Sequence, residues 1–455
     1  MRPPAPALLP LLAAVVSGPT AASASTVIPH ALMLAAGNRR APVCTDCHGV
    51  HDIRRVSDPD STVVQENLIE TCRRCPPGAP PEFVGSRLGH FRPSWDRSPI
   101  VYVVEVFYRI AIPGILGGMT LLVLLDARRR LCDRRARARH GGRTDARQRE
   151  FRRFTGGDMV EHWLMAVFFT VLAITGLPQM SAGRPVAEWA IGFLGGLEMV
   201  RILHHLFGVL LTLLMIFHVV RVGYKVIVLR APLSMLPRLS DVRVFAAWLR
   251  WALGRSDMRP AIGRYGFEHK VEYWALIWGT VLMIATGFVL LVPIRATSVL
   301  PGEIIPAAKA AHGYEAVLAV LAVIIWHAYN VHVRHWNRSM FTGKLTEHEM
   351  REEHPAELQR LQAESGGEEG ERGMDRNFTR RRKLYLSFAT VFVVASVAGM
   401  KVLLIEETPS RTPPTLEGRG DCLMCHRAGG VEPIPADHAG RANATCVGCH
   451  PAGGA

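Results

Sequence analysis

The chain has 455 residues, enough for several domains, and 49% of them are hydrophobic. Mean hydropathy is positive and several apolar runs are long, which marks a membrane protein before any motif is read. A net charge of +14 would suit nucleic acid, but the basic residues cluster beside the apolar runs; membrane topology accounts for them, and no nucleic-acid partner is expected.

Residues 1–24 read as a secretory signal: Arg2, an apolar LLPLLAAVVSG core, and a small-residue site at Ala22-Ser23-Ala24. Whether it is cleaved or stays as an uncleaved anchor, the next segment is exported. Residues 25–98 are polar and proline-rich and hold Cys44-Thr45-Asp46-Cys47-His48. C-x-x-C-H is the c-type haem attachment pattern, in which two thiols bind the haem vinyls and the adjacent histidine takes the iron. A second pair, Cys72 and Cys75, is followed by Pro76 instead of histidine. It reads as a degenerate haem site, a disulfide or part of a metal site.

The first span is expected at 99–125. Twelve arginines follow between Asp126 and Phe154, which makes 126–158 a basic cytoplasmic loop by the positive-inside rule. Cys132 stands alone there, as an ordinary thiol. The second span is expected at 159–178 and the third at 201–222. The loop 223–270 holds nine Lys or Arg and is again cytoplasmic. The fourth span is expected at 271–292 and the fifth at 309–335. Residues 336–383 form a charged cytoplasmic segment, partly disordered or helical, and 384–405 is the sixth span. The tail 406–455 opens on a Pro/Thr-rich linker. It carries Cys422-Leu423-Met424-Cys425-His426 and Cys446-Val447-Gly448-Cys449-His450. Six spans after an exported N-terminus place both ends, and all four C-x-x-C pairs, in one compartment. Three C-x-x-C-H motifs imply three c haems, with a fourth if Cys72 and Cys75 are loaded. Paired zinc sites are the competing reading. His48, His426 and His450 are the expected iron ligands. The distal candidates are His30, His51, His90 and His438, with His438 placed best, between the tail motifs. Met33 and Met424 are the only methionines in these segments, which favours two histidines per iron.

Histidine inside a membrane is costly without a partner, so several on facing spans signal a site. His204 and His218 lie fourteen residues apart, close to four helical turns and on one face. His312 and His327 lie fifteen apart, about 22 Å along a helix. Depth pairs His204 with His312 near the outer face. Near the inner face, His327 pairs with His162 or with His218. His205 points about 100° away from His204 and is secondary. His269, His332 and His335 lie at the cytoplasmic edge. Two such pairs could clamp two stacked haems.

The stretches EHWLMAVFFTVLAITGLP and RILHHLFG, and the His312–His327 helix followed by FTGKLTEHEM and EEHP, resemble the cytochrome b subunits of formate dehydrogenase and of nickel-iron hydrogenase. The resemblance covers roughly 155–356. It implies a four-helix core with two b haems, held by His162 with His327 and by His204 with His312, and a quinone site near the inner haem. Glu161, Lys270, Glu272 and Asn330 are polar candidates for that site. His218 has no family role and stays an alternate ligand, a quinone contact or a third site. The His312–His327 interval is one residue longer than that family usually shows. Segments 25–98 and 406–455 are similar to multihaem c-type cytochromes.

The expected fold is an all-α membrane protein: six transmembrane helices with a four-helix dihaem cytochrome b core at 159–335, plus small loop-rich c-type haem segments. The expected function is electron transfer between the membrane quinone pool and periplasmic cytochromes, as a (mena)quinol oxidoreductase in the bacterial inner membrane. The alternative is an electron-transfer anchor for a separate catalytic oxidoreductase subunit, such as a formate dehydrogenase or hydrogenase. A haem-based sensor ranks lower because no output domain is visible. No P-loop, dinucleotide fingerprint or hydrolase triad pattern is found, so other chemistries are not supported.

Overall fold

A computed structural model describes residue 47 and residues 54–55, 58–64, 66–73, 80–86, 93–138, 149–181, 184–334, 336–366 and 377–404. These fall into two compact units. One comprises Pro93–Val292 and Ile305–Ile405; the other draws on Ala21–Arg92 and Pro293–Ile304.

The larger unit is helical. Six of its helices are long and apolar enough to cross a membrane: Pro99–Asp133, Gly156–Met180, Leu197–Val228, Phe267–Leu291, Ile304–Val333 and Phe378–Lys401. Their outer faces are bare of protein. Ile110 is 70% exposed, Trp278 73% and Phe388 67%, a surface that only lipid would cover at low cost. The chain is a multi-pass membrane protein with a mostly helical fold.

The spans begin and end where capping and propensity direct. The second starts at Gly156 because Thr155 and Asp158 form a reciprocal capping box: Thr155 Oγ1 accepts from the Asp158 amide at 3.3 Å, and Asp158 returns the contact to the Thr155 amide at 2.9 Å. The first helix does not stop at 125. It runs from Pro99 to Ala138, because the Arg, Ala and Leu residues that follow Asp126 are good helix formers. The expected basic loop therefore begins as a continuation of the span.

Two further departures lie between the spans. Residues 239–252 were expected as loop, yet Leu239–Ala252 is an α-helix. Phe245, Trp248, Leu249 and Ala252 recur at helical spacing and pack with Leu122 and Leu125 of the first span and Phe267 of the fourth. Residues 344–346 form a strand that pairs antiparallel with 150–152, so among the described residues the helical fold also carries a short two-stranded ribbon. Behind it, Leu345, Met350 and Leu358 form a small core with Phe151 and Leu361.

This end of the bundle also holds a buried ion network. Glu353 pairs with Arg334, with Arg259 at 3.1 Å and with Arg130 at 3.3 Å. Asp126 accepts from Arg130 at 2.7 Å and from the Tyr329 hydroxyl at 2.9 Å. The network ties the first and fifth spans to the helix Glu347–Glu353. We call this the Arg-rich end.

The fifth span changes pitch. It is α-helical over Ile304–Ala322 and π-helical over Val323–His327 and Tyr329–Val333. The Ala328 amide accordingly donates to the carbonyl of Val323, five residues back.

The smaller unit is built from short turns. Cys72 lies in the helix Leu68–Arg73, half-buried. The Thr71 hydroxyl donates to the Thr62 carbonyl at 2.7 Å, and the Thr62 hydroxyl to the Cys47 carbonyl at 2.5 Å. Val63, Leu68 and Ala296 are its buried apolar residues among those described. The helix Pro293–Val299 belongs to the same unit.

Candidate functional site

Two threonine–glycine pairs, on the second and fourth spans, hold two of the histidines. Thr175 Oγ1 lies 3.0 Å from His204 Nδ1, and Thr286 Oγ1 lies 2.9 Å from His312 Nδ1. Each threonine hydroxyl already donates to the carbonyl four residues back, at 2.7 Å. Its oxygen therefore accepts from the imidazole, which puts the ring proton on Nδ1 and leaves Nε2 bare. The glycines clear room for the rings. A Cβ at Gly176 would stand 2.9 Å from His204 Cε1, and one at Gly287 3.4 Å from His312 Cε1. The ring centres of His204 and His312 are 6.2 Å apart.

The Arg-rich end repeats the plan with carboxylates. Glu272 hydrogen-bonds His327 Nδ1, and Glu161 hydrogen-bonds His218 Nδ1. The ring centres of His162 and His327 are again 6.2 Å apart. His162 Nδ1 is buried with no hydrogen-bond partner among the described residues. His218 is engaged on both sides, since its Nε2 lies 2.8 Å from the Tyr273 hydroxyl. Glu161 also pairs with Arg221, and Arg221 reaches Asp158 at 2.7 Å.

The second and fourth spans are thus related by an offset of 111 residues. Glu161, Trp163, Thr175 and Gly176 correspond to Glu272, Trp274, Thr286 and Gly287. The tryptophans match in role as well: Trp163 donates to the Met340 carbonyl at 3.1 Å, and Trp274 to the Met235 carbonyl at 3.0 Å. Within the shared V-E-x-W stretch the variable position holds His162 on the second span and Tyr273 on the fourth. Neither the threonines nor the repeat is among the expected site residues, although V-E-x-W followed by T-G at one spacing is legible on both spans.

A metal between two imidazoles, at about 2 Å from each nitrogen and about 3 Å from each ring centre, would separate the centres by about 6 Å. Both pairs meet that requirement. Residues 153–343 match the family model of prokaryotic cytochrome b561. That stretch is cytochrome b561-like, and such a segment implies b-type haem. The nitrate-inducible formate dehydrogenase cytochrome b556(Fdn) subunit of Escherichia coli strain K12 is 22% identical over 216 residues, which are 47% of this chain and 94% of that subunit. The Shigella flexneri protein of the same description matches equally. The formate dehydrogenase cytochrome b556(fdo) subunit of Escherichia coli strain K12 is 26% identical over 180 residues, 39% of this chain and 76% of the relative. The chain is related to membrane electron-transfer subunits of this type.

The other residues singled out in the sequence distribute as follows. Lys270 is bound to Asp241 at 2.9 Å, and its charge holds the Asp241 carboxyl below the usual range against the effect of burial. Asn330 accepts from Arg334 at 3.2 Å. Both sit at the Arg-rich end, and among the described residues their hydrogen bonds go to groups other than the paired histidines. The rings of His269 and His354 are 5.6 Å apart, and His332 lies against Trp336. Cys132 is exposed. Residues Cys44, His48, Cys75, Cys422, Cys425, His426, Cys446, Cys449 and His450, with His30, His51, His90, His335 and His438, lie outside the described residues.

Proposed function

We propose that the chain carries electrons across the membrane, between the quinone pool on the Arg-rich side and redox proteins on the opposite side. The observation that supports this is the pair of facing imidazoles at each end of one helical core. Bound b haem would supply one-electron chemistry at each pair. His162 with His327 and His204 with His312 would hold it, while Thr175, Thr286 and Glu272 orient the rings. The Arg-rich end would face the cytoplasm by its charge. An exported N-terminus and six spans then put the C-x-x-C-H segments together on the far side, where c haems at Cys44–His48, Cys422–His426 and Cys446–His450 would extend the path. A quinol headgroup would dock at the Arg-rich end, where Glu161 and Glu272 are polar groups hydrogen-bonded to His218 and His327.

A second reading is supported by the relatives, which are formate dehydrogenase subunits. In it the chain is the membrane anchor that relays electrons for a separate catalytic subunit.

A pyridine haemochrome spectrum of the purified protein, separating extractable from covalent haem, is the first test. Two b and three c haems support the proposal, and a fourth c haem would mean that Cys72 and Cys75 are loaded. Absence of extractable haem sinks the transmembrane path. Excess menaquinol should reduce the b haems; if they stay oxidised, the quinol half is wrong. Quinol-driven reduction of a soluble cytochrome by the purified chain alone separates the first reading from the anchor.

A further inference from the structure

The two histidine pairs share a ring-centre separation of 6.2 Å, and they differ in the angle between the ring planes, 30° against 71°, and in what holds their outer nitrogens. At the His204–His312 pair both Nδ1 protons go to neutral threonine hydroxyls, at 3.0 and 2.9 Å. At the His162–His327 pair one Nδ1 proton goes to a carboxylate, Glu272. A carboxylate acceptor strengthens the bond and pushes electron density into the imidazole, which makes Nε2 a better donor to a metal and favours the higher oxidation state. Nearby cations would cancel part of this effect if they were bonded to the same carboxylate. Among the described residues no Lys or Arg forms an ion pair with Glu272, whereas the corresponding Glu161 is paired with Arg221.

The internal repeat sharpens the assignment. Glu161 makes the same contact to His218 that Glu272 makes to His327, but His218 Nε2 is already occupied by the Tyr273 hydroxyl. Only the carboxylate-held His327 faces a second histidine across 6.2 Å.

We propose that Glu272 is a positioning carboxylate that makes His162–His327 the lower-potential haem site of the two. Electrons then run downhill from the Arg-rich end to the His204–His312 end. The proposal rests on the reading that both pairs hold b haem, and it adds the direction that reading leaves open. In each step one electron leaves the first site, which is oxidised, and enters the second, which is reduced. No bond breaks, and His327 keeps its Nδ1 proton. A quinol, giving up two electrons and two protons in all, is the donor at the Arg-rich end.

The test is redox titration of the b haems in the purified full chain. In Glu272→Gln the lower midpoint potential should rise and the upper stay. A tenfold change in the electron-sharing equilibrium between the sites would read as about 59 mV for a one-electron couple. Glu272→Asp should restore part of the difference, and Thr286→Val should move only the upper potential. Haem count and the low-spin EPR signals are read on the same samples. Both haems retained with an unmoved lower potential would overturn the proposal, as would a shift of the upper one. A wild-type protein without b haem would instead overturn the haem reading on which it rests. If Glu272→Gln does not fold, the near-infrared magnetic circular dichroism of the oxidised wild type decides. One b haem should show the shift that marks imidazolate character; two equivalent bands would overturn the proposal.

Discussion

Gly176 shows how little space a histidine site leaves. Its missing side chain is what lets the His204 ring lie against the second span, and the ring cannot swing away without losing the Thr175 hydroxyl. Substituting Gly176→Ala would put a methyl 2.9 Å from the ring, closer than such contacts allow. The ring must rotate, and disturbing a metal ligand's orientation typically costs about ten- to a hundredfold in affinity. The expected outcome is loss of one extractable haem per chain by pyridine haemochrome, with the other retained. Gly117→Ala is the control, since a Cβ there meets nothing within 4 Å. Retention of both haems in Gly176→Ala would show that the ring is not confined in this way.

At the scale of elements, the Arg-rich end depends on Glu353. One carboxylate there pairs with Arg130, Arg259 and Arg334, drawn from the first span, the loop before the fourth and the end of the fifth. Burial alone would raise its pKa, but the three guanidinium groups outweigh that and hold it far below the usual carboxylate range. Replacing it by Gln strands buried cations, for which about 3–5 kcal/mol of destabilisation is expected, visible as a lower thermal midpoint of the solubilised protein. The neighbouring His354 is pushed down to about 3, first by burial and then by the charges of Arg153 and His269. Both shifts act with the same sign. Below about pH 6.5 the unfolded chain binds a proton at His354 that the folded chain refuses, and at lower pH the same holds for Glu353. Stability should therefore fall as pH drops from about 6.5 toward 4, and His354→Gln should flatten the upper part of that decline. A thermal midpoint insensitive to pH in this window would rule the account out.

Across the whole molecule, the sequence carried the spans and the histidines more clearly than the groups that hold them. Apolar runs of transmembrane length set the six helices, and the positions of His162, His204, His312 and His327 followed from depth and from family resemblance. What stayed hidden was what depends on neighbours in space. Thr175 and Thr286 read as ordinary span residues until each faced an imidazole. The pairing of His218 with Tyr273 joins the third span to the fourth, and no spacing along one helix could have given it. The helix Leu239–Ala252 hides inside a basic loop because Arg243 and Arg250 dominate its charge, while Phe245, Trp248, Leu249 and Ala252 carry the helical period. The ribbon of residues 150–152 and 344–346 needs two stretches of three residues almost two hundred positions apart, too short for any alternation to register.

The π-helical turns of the fifth span have a consequence for how this chain tolerates length change. Fifteen residues of uninterrupted α-helix would overshoot four turns by about 60°, whereas fourteen fall short by about 40°. A wide turn at Val323–His327 absorbs the additional residue, so both histidines still meet partners 6.2 Å away. The segment works as slack in an otherwise rigid rod. Deleting Ile324 should take up that slack, convert the turn to α-helix and leave haem content unchanged. The third span is α-helical from Leu197 to Gly223 and has no such slack between its histidines, so deleting Leu210 should swing His204 against His218 by about 100°, with loss of extractable haem. Equal haem loss in both deletions would mean that the wide turn is not where the spare residue is stored.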